Sequence, residues 1–165
     1  MKEKLKHYIK EIFLFFIFIT IVTNILSFYR SGELNKEQLQ ESSFTLIDST
    51  NYNIRKNKPI VIHFWATWCR TCKMEASNID RLSKDFEVIT IAVKSGTDDE
   101  IQKYINEHAL NYKVVNDKDG FYAKKFKISA YPTTFIYDKD KNLIFSEVGY
   151  TSTVGLWLRI WWVNL

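Results

Sequence analysis

The chain has 165 residues, with 23 Lys+Arg against 19 Asp+Glu, 46% hydrophobic residues and two cysteines. That length suffices for one folded core, and with no low-complexity repeat it gives no reason to expect nucleic acid as a partner. The positive excess is also local: residues 1–30 hold five of the basic residues and two of the acidic ones, leaving 18 against 17 in the remainder.

Lys2, Lys4, Lys6 and Lys10 lead into Ile12 to Phe28, seventeen residues without a charge. At 1.5 Å per residue this run reaches about 26 Å, slightly short of a hydrocarbon core of about 30 Å, so flanking residues must complete a membrane span. The preceding lysines predict a cytoplasmic N-terminus and an exported C-terminal domain. A cleaved signal peptide is the alternative, but Ser27-Phe28-Tyr29-Arg30-Ser31 lacks a small-residue cleavage pattern. The sequence thus divides into a cytoplasmic N-terminus and anchor over 1–30, a polar tether over 31–43 and a domain over 44–165.

From Phe44 the segments alternate. Phe44 to Asp48 and Tyr52 to Ile54 read as an edge hairpin, and Pro59 introduces the apolar run Ile60 to Ala66, a central strand. A helix from about Arg70 to Ser83 follows, then a strand Val88 to Val93, a helix Asp98 to His108 and a strand Tyr112 to Val115. Asp117 to Gly120 is a turn before a short helix over Phe121 to Phe126. Thr133 to Tyr137 and Leu143 to Val148 form a second hairpin, and Ser152 caps a last helix carrying Val154, Leu156, Leu158, Ile160 and Trp161. On that helix Trp157 and Trp161 share a face and are expected to pack on the sheet, while Trp162 is left for the membrane interface or a partner. Strands alternating with helices give an α/β sandwich.

The two cysteines, Cys69 and Cys72, sit at the junction between the central strand and the next helix. If Cys69 starts that helix, unpaired N–H groups and the positive end of the dipole favour its thiolate. A free cysteine titrates near 8.5, whereas sites of this kind reach roughly 3.5 to 7. Cys69 is then the attacking thiol and Cys72, one turn deeper, the resolving one. A zinc site would need four ligands, and the remaining histidines, His7, His63 and His108, form no second ligand pair, so no metal is expected. A purely structural disulfide is the other alternative. The redox group expected is the Cys69–Cys72 disulfide itself, with no separate cofactor.

Cys72, Glu75, Ile79, Leu82 and Phe86 are spaced three, four, three and four, which puts them on one buried helix face. A carboxylate at Glu75 would be desolvated, with its pKa raised, and once ionised would oppose a nearby thiolate. The competing reading is a solvated helix glutamate. His63 lies on the central strand, where a neutral imidazole titrating near working pH could relay the Cys72 proton, or could simply be packed and hydrogen-bonded.

Phe64 to Glu75, FWATWCRTCKME, together with Tyr131-Pro132-Thr133, resembles the thioredoxin superfamily and within it the membrane-anchored TlpA/ResA-like branch. The Glu147 to Thr151 stretch and the Val115-Asn116-Asp117 turn are most similar to the copper-sensitivity-suppressor oxidoreductases. The resemblance implies a thioredoxin-like three-layer sandwich, a central mixed sheet flanked by helices, behind one transmembrane helix. It implies a functional glutamate at Glu75 and a cis-proline at Pro132 facing the disulfide. Substrate contacts would then fall to Trp68, Arg70, Tyr131 and Thr133, with Tyr131 equally readable as a turn aromatic. His63 departs from the pattern, which often carries a buried acid there.

The function expected is a membrane-tethered, extracytoplasmic thiol-disulfide oxidoreductase, single-pass in a bacterial inner membrane with its catalytic domain in the periplasm. Its partners would be exported client proteins with thiols or disulfides and a membrane thiol electron donor or acceptor. Two alternatives are a cytochrome c maturation reductant, opposed by Thr133 where those relatives typically carry an acid, and a thiol copper carrier, opposed by the lack of a CxxxC with a downstream histidine. Electron direction stays open, because Arg70 favours the thiolate and an oxidising potential while Glu75 opposes it.

Overall fold

The computed structural model describes residues 2–32 and 34–163. Helix α1 (Lys2–Ser31) is followed by the hairpin β1 (Ser43–Thr45) and β2 (Asn51–Asn53), then β3 (Ile60–Trp65), α2 (Arg70–Asp85), β4 (Val88–Val93), α3 (Asp98–Glu107) and β5 (Lys113–Asp117). Helix α4 (Phe121–Lys125), β6 (Thr133–Tyr137), β7 (Leu143–Val148) and α5 (Thr153–Val163) complete the chain. The apolar part of α1, Lys6–Ser27, is 22 residues long, or about 33 Å at 1.5 Å per residue. It extends beyond the uncharged run at its N-terminal side and has the length and composition to cross a membrane, a test that a signal sequence also passes.

Five strands form one mixed sheet in the order β5-β4-β3-β6-β7, with β3, β4 and β5 parallel and β6 and β7 antiparallel to their neighbours. The two parallel crossovers run through α2 and α3, the connection that a βαβ unit requires. All six residues of β3 and all six of β4 are buried, as expected for strands covered on both faces. One face carries Val61, Trp65, Val88 and Ile136 against Ile79 and Leu82 of α2, Ile101 and Ile105 of α3, and Leu156 and Ile160 of α5. On the other, Ile62, Phe64, Ile91 and Phe135 meet Phe44 of the hairpin and Ala123 and Phe126 at α4. The result is the three-layer sandwich expected, with the hairpin as a separate two-stranded sheet.

Two expectations about packing are corrected. The polar stretch 31–43 is not a free tether: Leu34 and Leu39 are buried in the second core, and Leu39 N–H donates to the Lys141 carbonyl at 2.9 Å. Two leucines in an otherwise polar run were enough to bring it onto the domain. On α5 the core side is formed by Leu156 and Ile160, while Trp157 and Trp161 are 44% and 48% exposed. The tryptophans do share a face, but that face looks outward.

The C-terminal end of α1 packs on β7. Ser27 Oγ donates to Glu147 Oε2 at 3.1 Å and accepts from Val148 N–H at 3.1 Å, so the apolar helix ends on the edge strand of the sheet.

Candidate active site

Cys69 is the N-cap of α2, in extended conformation, and its sulfur accepts from the Cys72 N–H at 3.1 Å. This is the helix-start placement that favours a thiolate on Cys69 once the disulfide opens. Cys69 and Cys72 are bonded to each other, with Cα atoms 5.2 Å apart, and Cys69 is the more exposed of the two (8% against 2%). Exposure therefore agrees with attack by Cys69 and resolution by Cys72.

The loop that presents the pair is fastened to the end of β4. Thr67 N–H donates to Ser95 Oγ at 3.1 Å, Ser95 Oγ donates to the Val93 carbonyl, and Trp68 Nε1 donates to the Lys94 carbonyl at 3.2 Å. Neither Lys94 nor Ser95 is legible in the sequence, because a backbone carbonyl and a single serine leave no pattern. Trp68 is 63% exposed and meets Tyr131 edge-on, with ring centroids 5.6 Å apart. The Tyr131–Pro132 bond is cis. The β3–β6 ladder starts at Phe64 opposite Thr133, so Tyr131 and Pro132 lie beyond its end, on the side where β3 leads to the cysteines. The Pro132 carbonyl accepts from Gly149 N–H at 2.8 Å, at a residue whose φ of 103° favours glycine.

The Thr133 side chain is turned into the protein rather than onto the surface where a substrate contact was expected. It is fully buried and its hydroxyl donates to the Ala130 carbonyl at 2.8 Å, which braces the loop before the cis-proline. Arg70 lies exposed beside the cysteines at the first position of α2.

Glu75 is fully buried on the face of α2 that the spacing indicated, along with Cys72, Ile79 and Leu82. Its Oε1 accepts from Thr151 N–H at 2.9 Å, while Oε2 is buried with no hydrogen-bond partner. Burial raises its pKa to about 8, the Thr151 hydrogen bond pulls the other way, and the charge of Glu147 adds to the rise. At neutral pH the carboxyl is mostly protonated.

His63 is corrected. Burial lowers its pKa to about 3, so it stays neutral at any working pH and does not take up a proton as the relay reading required. Its Nδ1 lies 2.9 Å from Thr134 Oγ1. Residues paired directly across the ladders share a face, so Thr90, His63, Thr134 and Glu147 form one polar row through the sheet. The row ends at Glu147, which pairs with Arg159 of α5 at 2.7 Å. It escaped the sequence reading because its members lie far apart in the chain. Thr134→Val removes the partner of a buried ring and should cost about 1–3 kcal/mol, read as a lower urea midpoint with an unchanged slope. An unchanged midpoint would show that the Thr134 contact contributes nothing.

A helix-capping disulfide at the end of a central strand, beside a cis-proline loop, defines the class of thioredoxin-fold proteins. The chain belongs to the AhpC/TSA family, which matches residues 33–146. It is 29% identical to a thioredoxin-like protein of Haemophilus influenzae, covering 98% of both chains. It is 26% identical to the thiol-disulfide oxidoreductase ResA of Bacillus subtilis, covering 87% of this chain and 86% of that one. The crystal structure of StoA from Bacillus subtilis shares the fold, with a TM-score of 0.62 at 20% identity over 72% of this chain and 93% of the other. The TlpA/ResA-like expectation is met, and the chain is a thiol-disulfide oxidoreductase of the thioredoxin fold.

Proposed function

We propose that the protein is a membrane-tethered, extracytoplasmic oxidoreductase that exchanges disulfides with exported proteins through Cys69 and Cys72. The observation that carries this reading is the disulfide at the N-terminus of α2, its more exposed sulfur on the capping residue and a buried carboxyl one turn further along the helix. In the reduced protein the Cys69 thiolate attacks a client disulfide, forming a bond to one client sulfur and expelling the other as thiolate. Cys72 then attacks the Cys69 sulfur, which releases the second client thiolate and closes the Cys69–Cys72 disulfide. The reverse sequence oxidises a client dithiol, and a membrane thiol donor or acceptor resets the pair. Glu75, mostly protonated at neutral pH, gives a proton to Cys72 when that sulfur leaves as thiolate in the client-oxidising direction, and its minor ionised form takes the Cys72 proton in the client-reducing direction, through the unpartnered Oε2. Trp68, Tyr131 and Arg70 flank the sulfurs where a client chain would lie, and Pro132 supports that face.

Tethering rests on Lys6–Ser27, preceded by lysines that keep the N-terminus in the cytoplasm. A phosphatase reporter fused after Leu165 is expected to be active only outside the cytoplasm, with the protein retained in membranes. Purified full-length protein is expected to exchange disulfides with insulin, and Cys69→Ser to abolish it. An inactive reporter in an intact fusion would overturn the extracytoplasmic placement, and release of a soluble form beginning near Ser31 would overturn the tethering; insulin exchange surviving in Cys69→Ser would overturn the chemistry.

A further inference from the structure

Helix α5 has no acidic residue, and its one charged residue, Arg159, is engaged with Glu147. Leu156 and Ile160 satisfy its core side. Val154, Trp157, Leu158, Trp161 and Trp162 remain 44–68% exposed. At about 100° per residue these five fill one continuous arc of about 140°. An apolar face of this size left outside the core marks an interaction surface.

What covers it follows from where α5 lies. A cleft of about 630 Å³ between α1 and the β7–α5 corner is lined by Thr20, Asn24 and Ser27 on one side and by Gly155 and Arg159 on the other. Thr20 is seven residues, or about 10 Å, back along α1 from Ser27, inside the apolar span Lys6–Ser27. Gly155 and Arg159 therefore run alongside the last two turns of the span. Around α5 the apolar arc begins next to Gly155, at Trp162, and turns away from α1 through Leu158 to Trp161 and Trp157. The arc is thus continuous with the surface that α1 presents to lipid. Tryptophans are enriched at the depth where the hydrocarbon core meets the headgroups, with the ring in the apolar layer and the indole N–H toward water.

We propose that the exposed aromatic face of α5 is a membrane-docking surface, seated in the interfacial layer of the same bilayer that α1 crosses. This rests on the reading of α1 as a retained anchor. Two contacts with the bilayer then fix the orientation of the domain, where a single helix would leave it free to swing. The end of β7 that receives Ser27 is the same end of the sheet from which β3 leads to the cysteines, two strands or about 10 Å away. Docking by α5 holds the disulfide at a fixed height near the membrane surface.

The test uses the full chain in nanodiscs of phosphatidylcholine and phosphatidylglycerol, either unmodified or brominated near the top of the acyl chains. Three of the five tryptophans lie on the proposed face. Bromination is expected to cause a loss of tryptophan emission in the parent protein, and a variant carrying Trp157→Phe, Trp161→Phe and Trp162→Phe is expected to lose that quenching while keeping its circular dichroism spectrum and its disulfide. Protein that co-elutes with the discs without quenching would overturn the docking surface and leave the anchor standing, as would quenching that persists in the triple variant. Protein that elutes apart from the discs would overturn both.

Discussion

Cys72→Ser is expected to accumulate mixed disulfides with exported proteins, and Cys69→Ser to accumulate none. The asymmetry follows from position. Cys69 caps α2, where the helix N-terminus stabilises its thiolate, and it is the more exposed sulfur; Cys72 lies one turn inside and is 2% exposed, out of reach of an incoming protein. With Cys72 gone, the bond between Cys69 and the client has no internal thiol to resolve it and persists until external thiol arrives. With Cys69 gone, the remaining thiol is buried and cannot begin the reaction. Non-reducing gels of membranes quenched with acid and alkylated should show high-mass adducts only for Cys72→Ser, collapsing on reduction. Equal trapping by the two variants would remove the assignment of roles.

How much of this site was legible beforehand depended on the range of the interactions. The buried face of α2 follows from spacings of three and four residues, which one helix imposes locally, so Cys72, Glu75, Ile79 and Leu82 fall together on it. Strands β3 and β4 are legible as apolar runs, each interrupted by a single polar residue, His63 and Thr90, because both faces are covered. What escaped was set by tertiary contact. The inward turn of Thr133 depends on the Ala130 carbonyl, and the low pKa of His63 depends on the layers above and below β3. The outward face of Trp157 and Trp161 was decided by competition with Leu156 and Ile160 for the same sheet surface, which periodicity alone did not resolve. The docking of Ser27 onto Glu147 and Val148 joins residues about 120 positions apart. Placement in the copper-sensitivity-suppressor branch rests on short sequence stretches alone, whereas the TlpA/ResA-like assignment rests on the family match and near full-length similarity.

Glu75→Gln is expected to change both the pH dependence of stability and the titration of the cysteines. Burial raises the Glu75 pKa from 4.5 to about 8, so the fold favours its protonated form. The resulting stabilisation is complete below the unfolded value near 4.5 and is lost as pH rises through the folded value near 8. At about 1.4 kcal/mol per pH unit the wild type should lose up to about 5 kcal/mol across that window, a loss the neutral glutamine does not share. Urea unfolding of the oxidised protein in micelles at pH 5, 7 and 9 should therefore show the variant gaining on the wild type as pH rises. In the reduced protein the same exchange removes an anion that forms beside Cys72 above about pH 8. The upper part of the thiolate absorbance curve should shift to lower pH, and the change belongs to the coupled group of Cys69, Cys72 and Glu75 rather than to one sulfur. Below about pH 7, where Glu75 is already protonated in the wild type, the two curves should nearly coincide. A constant stability difference from pH 5 to 9 together with superimposable thiolate curves would mean that the Glu75 carboxyl meets water in the working protein, leaving the helix N-terminus and Arg70 to tune the disulfide.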